Sequence, residues 1–235
     1  MTRVKICGLM NKEDIDLCVK AGVHALGLVV EYPEPVPWNL SRAEAAVLIS
    51  QVPPLVASTV VTGGSVQKIL AIAQALQPDI VQLHYQETLE EVEGLAEEFS
   101  HWGIKTIKAL RIDEDGSCAF EIRDPAAAAR ALAQTKVAAL LVDSYTPALA
   151  GGTGIRVDLE AFTRIQGETD LPVILAGGLN PTNVSKIIKK TRPYAVDVLT
   201  GVEGKPGHKS PGQVFHFMQR VNALNAGLNI ELKGE

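Results

Sequence analysis

The sequence predicts an α/β fold, a closed (β/α)8 TIM barrel of parallel strands, on three observations. Short β-branched apolar runs alternate eight times with longer stretches of helical periodicity, and no shift in composition divides them. Many strand runs, such as Ala138-Ala-Leu-Leu-Val142, are almost wholly apolar, as parallel strands covered by helices must be. Two successive runs near the C-terminus end in glycine: Val173-Ile-Leu-Ala-Gly-Gly-Leu179 and Tyr194-Ala-Val-Asp-Val-Leu-Thr-Gly201. Glycine at a strand end lets backbone N–H groups approach a ligand closely. In eight-stranded barrels the loops after strands seven and eight frequently hold a phosphate. A doubly wound open sheet alternates in the same way, but its dinucleotide form needs G-x-G-x-x-G after the first strand. That turn here reads Cys7-Gly-Leu-Met-Asn11.

In chain order, strands are expected near 3–8, 25–31, 55–62, 80–85, 105–112, 138–144, 173–178 and 194–200. Helices are expected near 12–21, 41–51, 65–76, 88–102, 126–134, 158–167, 182–191 and 211–225. Asn11, Ser41, Ser65, Thr88 and Asp158 stand where N-caps belong, and Pro181-Thr182 opens the seventh helix. The run Glu31-Tyr-Pro-Glu-Pro-Val-Pro-Trp-Asn39 reads as an extended loop, because proline restricts itself and its predecessor. A second long loop, 113–125, follows strand five. The barrel domain is expected over 1–227, with 228–235 as an appended tail.

Composition narrows the setting. The chain has 235 residues, 46% of them hydrophobic, enough to bury one sizeable core. No apolar run approaches the roughly 20 residues that span a bilayer, so no membrane partner is expected. The N-terminus lacks the apolar stretch of a signal peptide. Three cysteines (Cys7, Cys18, Cys118) at wide spacings show no metal-ligand pattern and fit a reduced cytoplasm. A net charge of −5 offers no general attraction to nucleic acid.

Strand alternation then sorts the polar residues. Lys5 and Cys7 share one face of strand one while Val4 and Ile6 share the other, so Lys5 points into the barrel and Cys7 into its mouth. A thiol there acts as a base only where something stabilises its thiolate; a buried structural cysteine is the plain alternative. Asp143 ends the apolar sixth strand at the mouth, where an acid is either catalytic or bonded to its own loop. Strands one and six lie three places apart in an eight-membered ring, so Cys7 and Asp143 face each other across the mouth. Gln82 and His84 share a face of strand four and offer polar groups to a ligand or to the core. Asp197 interrupts the apolar eighth strand, beside strand one, and is expected to pair with Lys5, since a lone buried charge costs several kcal/mol. Gly151-Gly-Thr-Gly154 reads as a lid, a wall of the phosphate site or a plain loop.

Taken in order, Val4-Lys-Ile-Cys-Gly8, Val81-Gln-Leu-His84, Ile107-Lys-Ala109, Leu141-Val-Asp-Ser144, Gly151-Gly-Thr-Gly154, Leu175-Ala-Gly-Gly-Leu-Asn-Pro-Thr-Asn-Val184 and Asp197-Val through Gly201-Val-Glu203 resemble the phosphoribosylanthranilate isomerase family of tryptophan biosynthesis. The resemblance covers nearly the whole chain. It implies a cofactor-free Amadori rearrangement of a small phosphosugar substrate by a monomer or homodimer, with Asp143 as general acid and Cys7 as general base. It places phosphate on Gly177, Gly178, Thr200 and Gly201, and substrate on His84.

Three segments depart from the family pattern. Leu199-Thr200 replaces two serines before the glycine, keeping one hydroxyl. Tyr85 stands where glycine usually follows the histidine. Trp38 occupies the place of an arginine that contacts the anthranilate carboxylate, a substrate-binding role that falls first to Arg42, reaching back from the start of helix two, with Arg111 as the substitute. Other phosphosugar barrels fit less well. An indole-glycerol-phosphate synthase calls for a lysine–glutamate arrangement, and a ribulose-phosphate epimerase for metal-binding histidines at strand ends. A non-catalytic phosphosugar-binding barrel is the alternative of a different class.

Overall fold

The computed structural model describes residues 1–144 and 158–227. Its strands are β1 (Arg3–Ile6), β2 (Ala25–Val30), β3 (Ala57–Thr62), β4 (Ile80–Leu83), β5 (Lys105–Ile112), β6 (Ala139–Ser144), β7 (Val173–Leu175) and β8 (Ala195–Val198). Each runs parallel to the next, and β8 pairs back onto β1, so the sheet closes as a barrel. Eight helices surround it: α1 (Lys12–Lys20), α2 (Arg42–Ile49), α3 (Val66–Leu76), α4 (Leu89–His101), α5 (Pro125–Leu132), α6 (Leu159–Gly167), α7 (Val184–Thr191) and α8 (Pro211–Asn225). None of the described helices is long and apolar enough to cross a membrane.

The helix starts follow local chemistry. Asn11, Ser41, Ser65, Thr88 and Asp158 each accept a hydrogen bond from a first-turn backbone N–H, satisfying donors that have no partner within the helix. Asp124, not among the expected caps, does the same for α5 ahead of Pro125. The seventh helix corrects the sequence expectation: it begins at Val184, not after Pro181. Asn180 is the cause. Its side-chain oxygen accepts from the N–H groups of Thr182 and Asn183, so these residues form a turn before the helix starts.

Further short elements sit at the mouth. Asn39–Leu40, inside the proline-rich stretch, pairs in parallel with β2. After β8 come a 3-10 turn, Thr200–Val202, and a hairpin of Glu203–Lys205 with His208–Lys209. The expected 228–235 tail and Gly151-Gly-Thr-Gly154 lie outside the described residues.

Alternation along the strands builds two cores. Outward side chains such as Ile6, Leu28, Val60, Leu83 and Val142 pack against Phe99, Phe162 and Phe217 of the helices. Inward ones divide by height. Ile107, Leu141, Ile174 and small alanines fill one part of the barrel, and Cys7, Val29, Tyr32, Trp38 and Val61 form a cluster at its mouth. Between them sits a buried ion pair. The register that closes the barrel sets Lys5 opposite Asp197, and the Lys5 ammonium lies 2.7 Å from Asp197 Oδ2. Both side chains are under 10% exposed (4% and 8%). Removing one partner strands the other charge in a low-dielectric interior. Asp197→Ala is therefore expected to lose about 3–5 kcal/mol in urea unfolding; a loss below about 1 kcal/mol would show that Lys5 is compensated elsewhere.

Candidate active site

The carboxyl ends of the strands surround a cleft of about 720 Å³, including space open to solvent. Cys7, Asp143, Trp38, Gly177, Gly178 and Thr200 are among the residues lining it.

Cys7 sits one residue past β1, with its N–H on Val198 O at 2.9 Å, so the closure of the barrel fixes its backbone. Its thiol packs against Gly27 of β2, where an added Cβ would lie 2.7 Å from Sγ and 3.1 Å from Lys5 Cε. Any side chain at 27 would push the sulfur aside. Burial raises the thiol above its ordinary pKa, and the Lys5 ammonium is the strongest opposing influence. For Lys5 itself burial works against the charge, but Asp197 and Cys7 outweigh it and hold the ammonium above its ordinary value. One cation thus faces both the Asp197 carboxylate and the Cys7 thiol.

Asp143 lies at the end of β6. Its Oδ1 accepts from the Ser144 N–H at 2.8 Å, and its Oδ2 is 3.7 Å from His84 Nε2. Burial first, then the charge of Asp197, pushes its carboxyl up to about 7, against the pull of Ser144 N–H, Arg111 and Lys5. An ordinary aspartate is fully ionised at neutral pH; this one still carries a proton to give. His84 goes the other way. Burial, then Arg111, Lys108 and Lys5, holds it well below the usual histidine range, so its contact with Asp143 is that of a neutral imidazole.

The turns after β7 and β8 meet. Gly177 and Gly178 both take positive φ (89° and 64°), and the backbone of Gly201 lies so near that a Cβ there would be 1.8 Å from Leu179 O. No side chain separates the two turns, and Thr200 adds a hydroxyl at the rim of the cleft. Neighbouring backbone N–H groups of this kind make an anion cradle.

Val29, Tyr32, Val36, Trp38 and Val61 give the cleft an apolar wall, which packs with Leu199 beside the turn after β8. The Trp38 indole N–H donates to Glu203 Oε1 at 2.8 Å, and Lys209 Nζ reaches the same oxygen at 2.8 Å. Glu203, the residue after the 3-10 turn, therefore also holds Trp38 of the apolar wall.

Among the expected site residues, Cys7, His84, Asp143, Gly177, Gly178, Thr200 and Gly201 line one cleft. The structure does not bring Arg42 there. Its guanidinium sits on Glu31 at 3.0 Å with the side chain 36% exposed. Arg111 is 3% exposed, in register with Asp143 on the adjoining strand. Two lining residues gave no sequence signal for this role. Asp197 Oδ1 has no hydrogen-bond partner among the described residues, which equips it to receive a ligand hydroxyl. Tyr32 lay hidden in a loop read only for its prolines. Among the described residues no group of three or more His, Cys, Asp or Glu side chains is placed to hold a metal ion.

Fold and site together define a (β/α)8 barrel with an acid, a thiol and an anion cradle at its mouth, the arrangement of a phosphate-binding barrel enzyme. The family model described as N-(5'phosphoribosyl)anthranilate (PRA) isomerase matches residues 4–220. The N-(5'-phosphoribosyl)anthranilate isomerase of Methanopyrus kandleri is 37% identical over 95% of this chain and 100% of its own. The crystal structure of phosphoribosyl anthranilate isomerase from Thermotoga maritima matches with a TM-score of 0.78 and 31% identity, over 95% of this chain and 100% of that one. A phosphoribosyl anthranilate isomerase solved with reduced 1-(o-carboxyphenylamino)-1-deoxyribulose 5-phosphate gives 0.75 and 30%, with the same coverage. The chain belongs to the N-(5'-phosphoribosyl)anthranilate isomerase family.

The raised Asp143 carboxyl has a cost that pH exposes. The folded protein holds this proton up to about pH 7, whereas an unperturbed aspartate releases it near 3.8. Folding therefore loses stability as pH rises between those values, and the loss stays constant above them. Asp143→Asn, which cannot ionise, should gain on the wild type across that window, by up to a few kcal/mol at pH 8 in urea unfolding. Parallel stability curves for the two proteins would contradict the raised value.

Proposed function

We propose that this protein isomerises N-(5'-phosphoribosyl)anthranilate to 1-(o-carboxyphenylamino)-1-deoxyribulose 5-phosphate, with Asp143 as general acid and Cys7 as general base. The observation that carries the reading is that Asp143, whose carboxyl burial raises to about 7, and Cys7, whose thiol burial raises against the pull of Lys5, line one cleft. Asp143 gives its proton to the furanose ring oxygen. The C1–O bond breaks while the nitrogen lone pair forms a C=N bond, which opens the ring to a cationic imine. The Cys7 thiolate then takes the proton from C2, and that electron pair becomes the C1=C2 bond of an enolamine. Protonation at C1 and loss of the C2 hydroxyl proton give the ketone. Atoms and electrons balance within one substrate, so the reaction calls for two well-placed proton carriers and no electron acceptor.

The two ends of the cleft give the substrate one direction. Its phosphate meets Gly177, Gly178, Thr200 and Gly201, its aryl ring lies on the apolar wall with Trp38, and the ribose spans the space between. His84 and Asp197 line the cleft beside the sugar. Arg111 is better placed than Arg42 to meet the ring carboxylate, since its charge already acts on Tyr32, His84 and Asp143. The family match over residues 4–220 supports the same chemistry.

Turnover of freshly generated phosphoribosylanthranilate, followed by loss of its fluorescence, tests the reading. Cys7→Ser and Asp143→Asn should each reduce kcat at least about a hundredfold; near wild-type rates in either would reject that residue's role. Wild-type protein that binds the product analogue but never turns over would leave the non-catalytic barrel standing. Arg42→Ala should move KM less than about fivefold, the scale of an exposed ion pair, and a larger rise would assign the carboxylate to Arg42.

A further inference from the structure

Gln82 and His84 take no part in the proton transfers above, yet they reach the acid from inside the barrel. Gln82 is 1% exposed and lines the cleft with His84. Its side-chain Nε2 lies 3.0 Å from His84 Nδ1, and the other ring nitrogen, Nε2, lies 3.7 Å from Asp143 Oδ2. We propose that Gln82 fixes the tautomer of His84, keeping its single N–H on Nε2 and aimed at Asp143, so that the carboxylate left after proton transfer gains a hydrogen bond. The tautomer stands on geometry alone; its use in turnover rests on the isomerase reading.

A neutral imidazole has one donor and one acceptor nitrogen, and the bond at one decides the other. An amide nitrogen only donates. With the Gln82 amide nitrogen turned to the ring and its Oε1 without a partner among the described residues, Nδ1 accepts, which leaves the proton on Nε2. The opposite tautomer would turn a lone pair toward the Asp143 carboxylate, a repulsive contact once that group ionises. At 3.7 Å the contact is just beyond hydrogen-bond length, and such contacts in free enzymes commonly tighten when substrate binds.

The ring has little freedom to leave this line. The His84 backbone N–H donates to Thr62 O at 3.0 Å, and its carbonyl accepts from the Tyr32 hydroxyl at 2.9 Å. The loop that follows is pinned by Lys108, whose ammonium meets Tyr85 O at 3.0 Å and Glu87 at 2.5 Å.

Neutrality matters as much as direction. An imidazolium beside Asp143 would hold its carboxyl ionised and remove the acid. Three cations, Arg111, Lys108 and Lys5, face His84 and oppose its protonation. Asp143 is faced by Asp197, which favours its protonated form, and by Arg111 and Lys5, which oppose it. A neutral N–H donor serves the carboxylate without competing for its proton. Gln82 is thus a positioning residue that acts through His84.

Nitrogen-15 NMR of the histidine-labelled protein reads the tautomer directly, with the His84 signals identified by their loss in His84→Asn. The expected spectrum has a pyridine-like Nδ1 and a pyrrole-like Nε2, unchanged between about pH 6 and 8. A protonated Nδ1, or an imidazolium in that range, overturns the proposal, whatever the activity assay shows. In Gln82→Leu, of similar size but without the donor, the two signals should move toward each other. The alkaline limb of kcat/KM should shift to higher pH, since a carboxylate with a weaker donor holds its proton longer. kcat should fall about tenfold, the scale of one hydrogen bond to a charged group, with KM little changed. Gln82→Glu, which demands a proton on Nδ1, should invert the tautomer. Unchanged spectra in both folded variants overturn the role of Gln82, and a moved spectrum with an unmoved pH limb overturns its link to Asp143.

Discussion

The Lys5 ammonium is the charge on which the barrel mouth depends. Burial pushes the Cys7 thiol and the Asp143 carboxyl toward their neutral forms, and neither the thiolate nor the ionised acid would form readily in so dry a place without a cation nearby. Lys5 supplies it to Asp197 directly at 2.7 Å and favours the charged forms of Cys7 and Asp143. Asp197 in turn keeps the ammonium charged and raises both acids. The outcome is graded: a carboxyl raised to about 7, a thiol that burial raises and Lys5 holds back, and a neutral imidazole between cations.

The fold places this chemistry by register and alternation. Parallel pairing sets Lys5 opposite Asp197 where the sheet closes, and a two-residue step carries the chain from Lys5 to Cys7 on the same face. Arg111 and Asp143 are register partners one strand apart. The anion cradle and the apolar wall are joined through Glu203, which follows the 3-10 turn and holds Trp38. Disorder in one would therefore loosen the other. Segregating the anion-binding turns from the apolar wall is what gives an asymmetric substrate one orientation.

Much of this arrangement is legible in the sequence because strands have an exact period of two. That period turns Lys5, Cys7, Asp143 and Asp197 inward, and ring closure pairs Lys5 with Asp197. Helix starts were legible wherever a short polar side chain preceded an apolar periodic run. Asn180 defeated the rule because it bonds its own turn first. What stayed hidden depends on contacts between distant residues. Trp38 and Glu203 are 165 positions apart, so no local pattern announces their bond. Arg42 looked available for a ligand because the competing Glu31 lies in a loop whose path the prolines did not reveal. The acidity of Asp143 was illegible for another reason: burial sets it, and burial belongs to the assembled barrel.

The most direct test of this account is the titration of the Asp143 carboxyl by carbon-13 NMR, in the wild type and in Asp197→Asn. The account requires a midpoint near 7 in the wild type and a lower one in the variant, where a neighbouring negative charge has gone. A wild-type midpoint in the ordinary aspartate range, or one indifferent to Asp197, would contradict it.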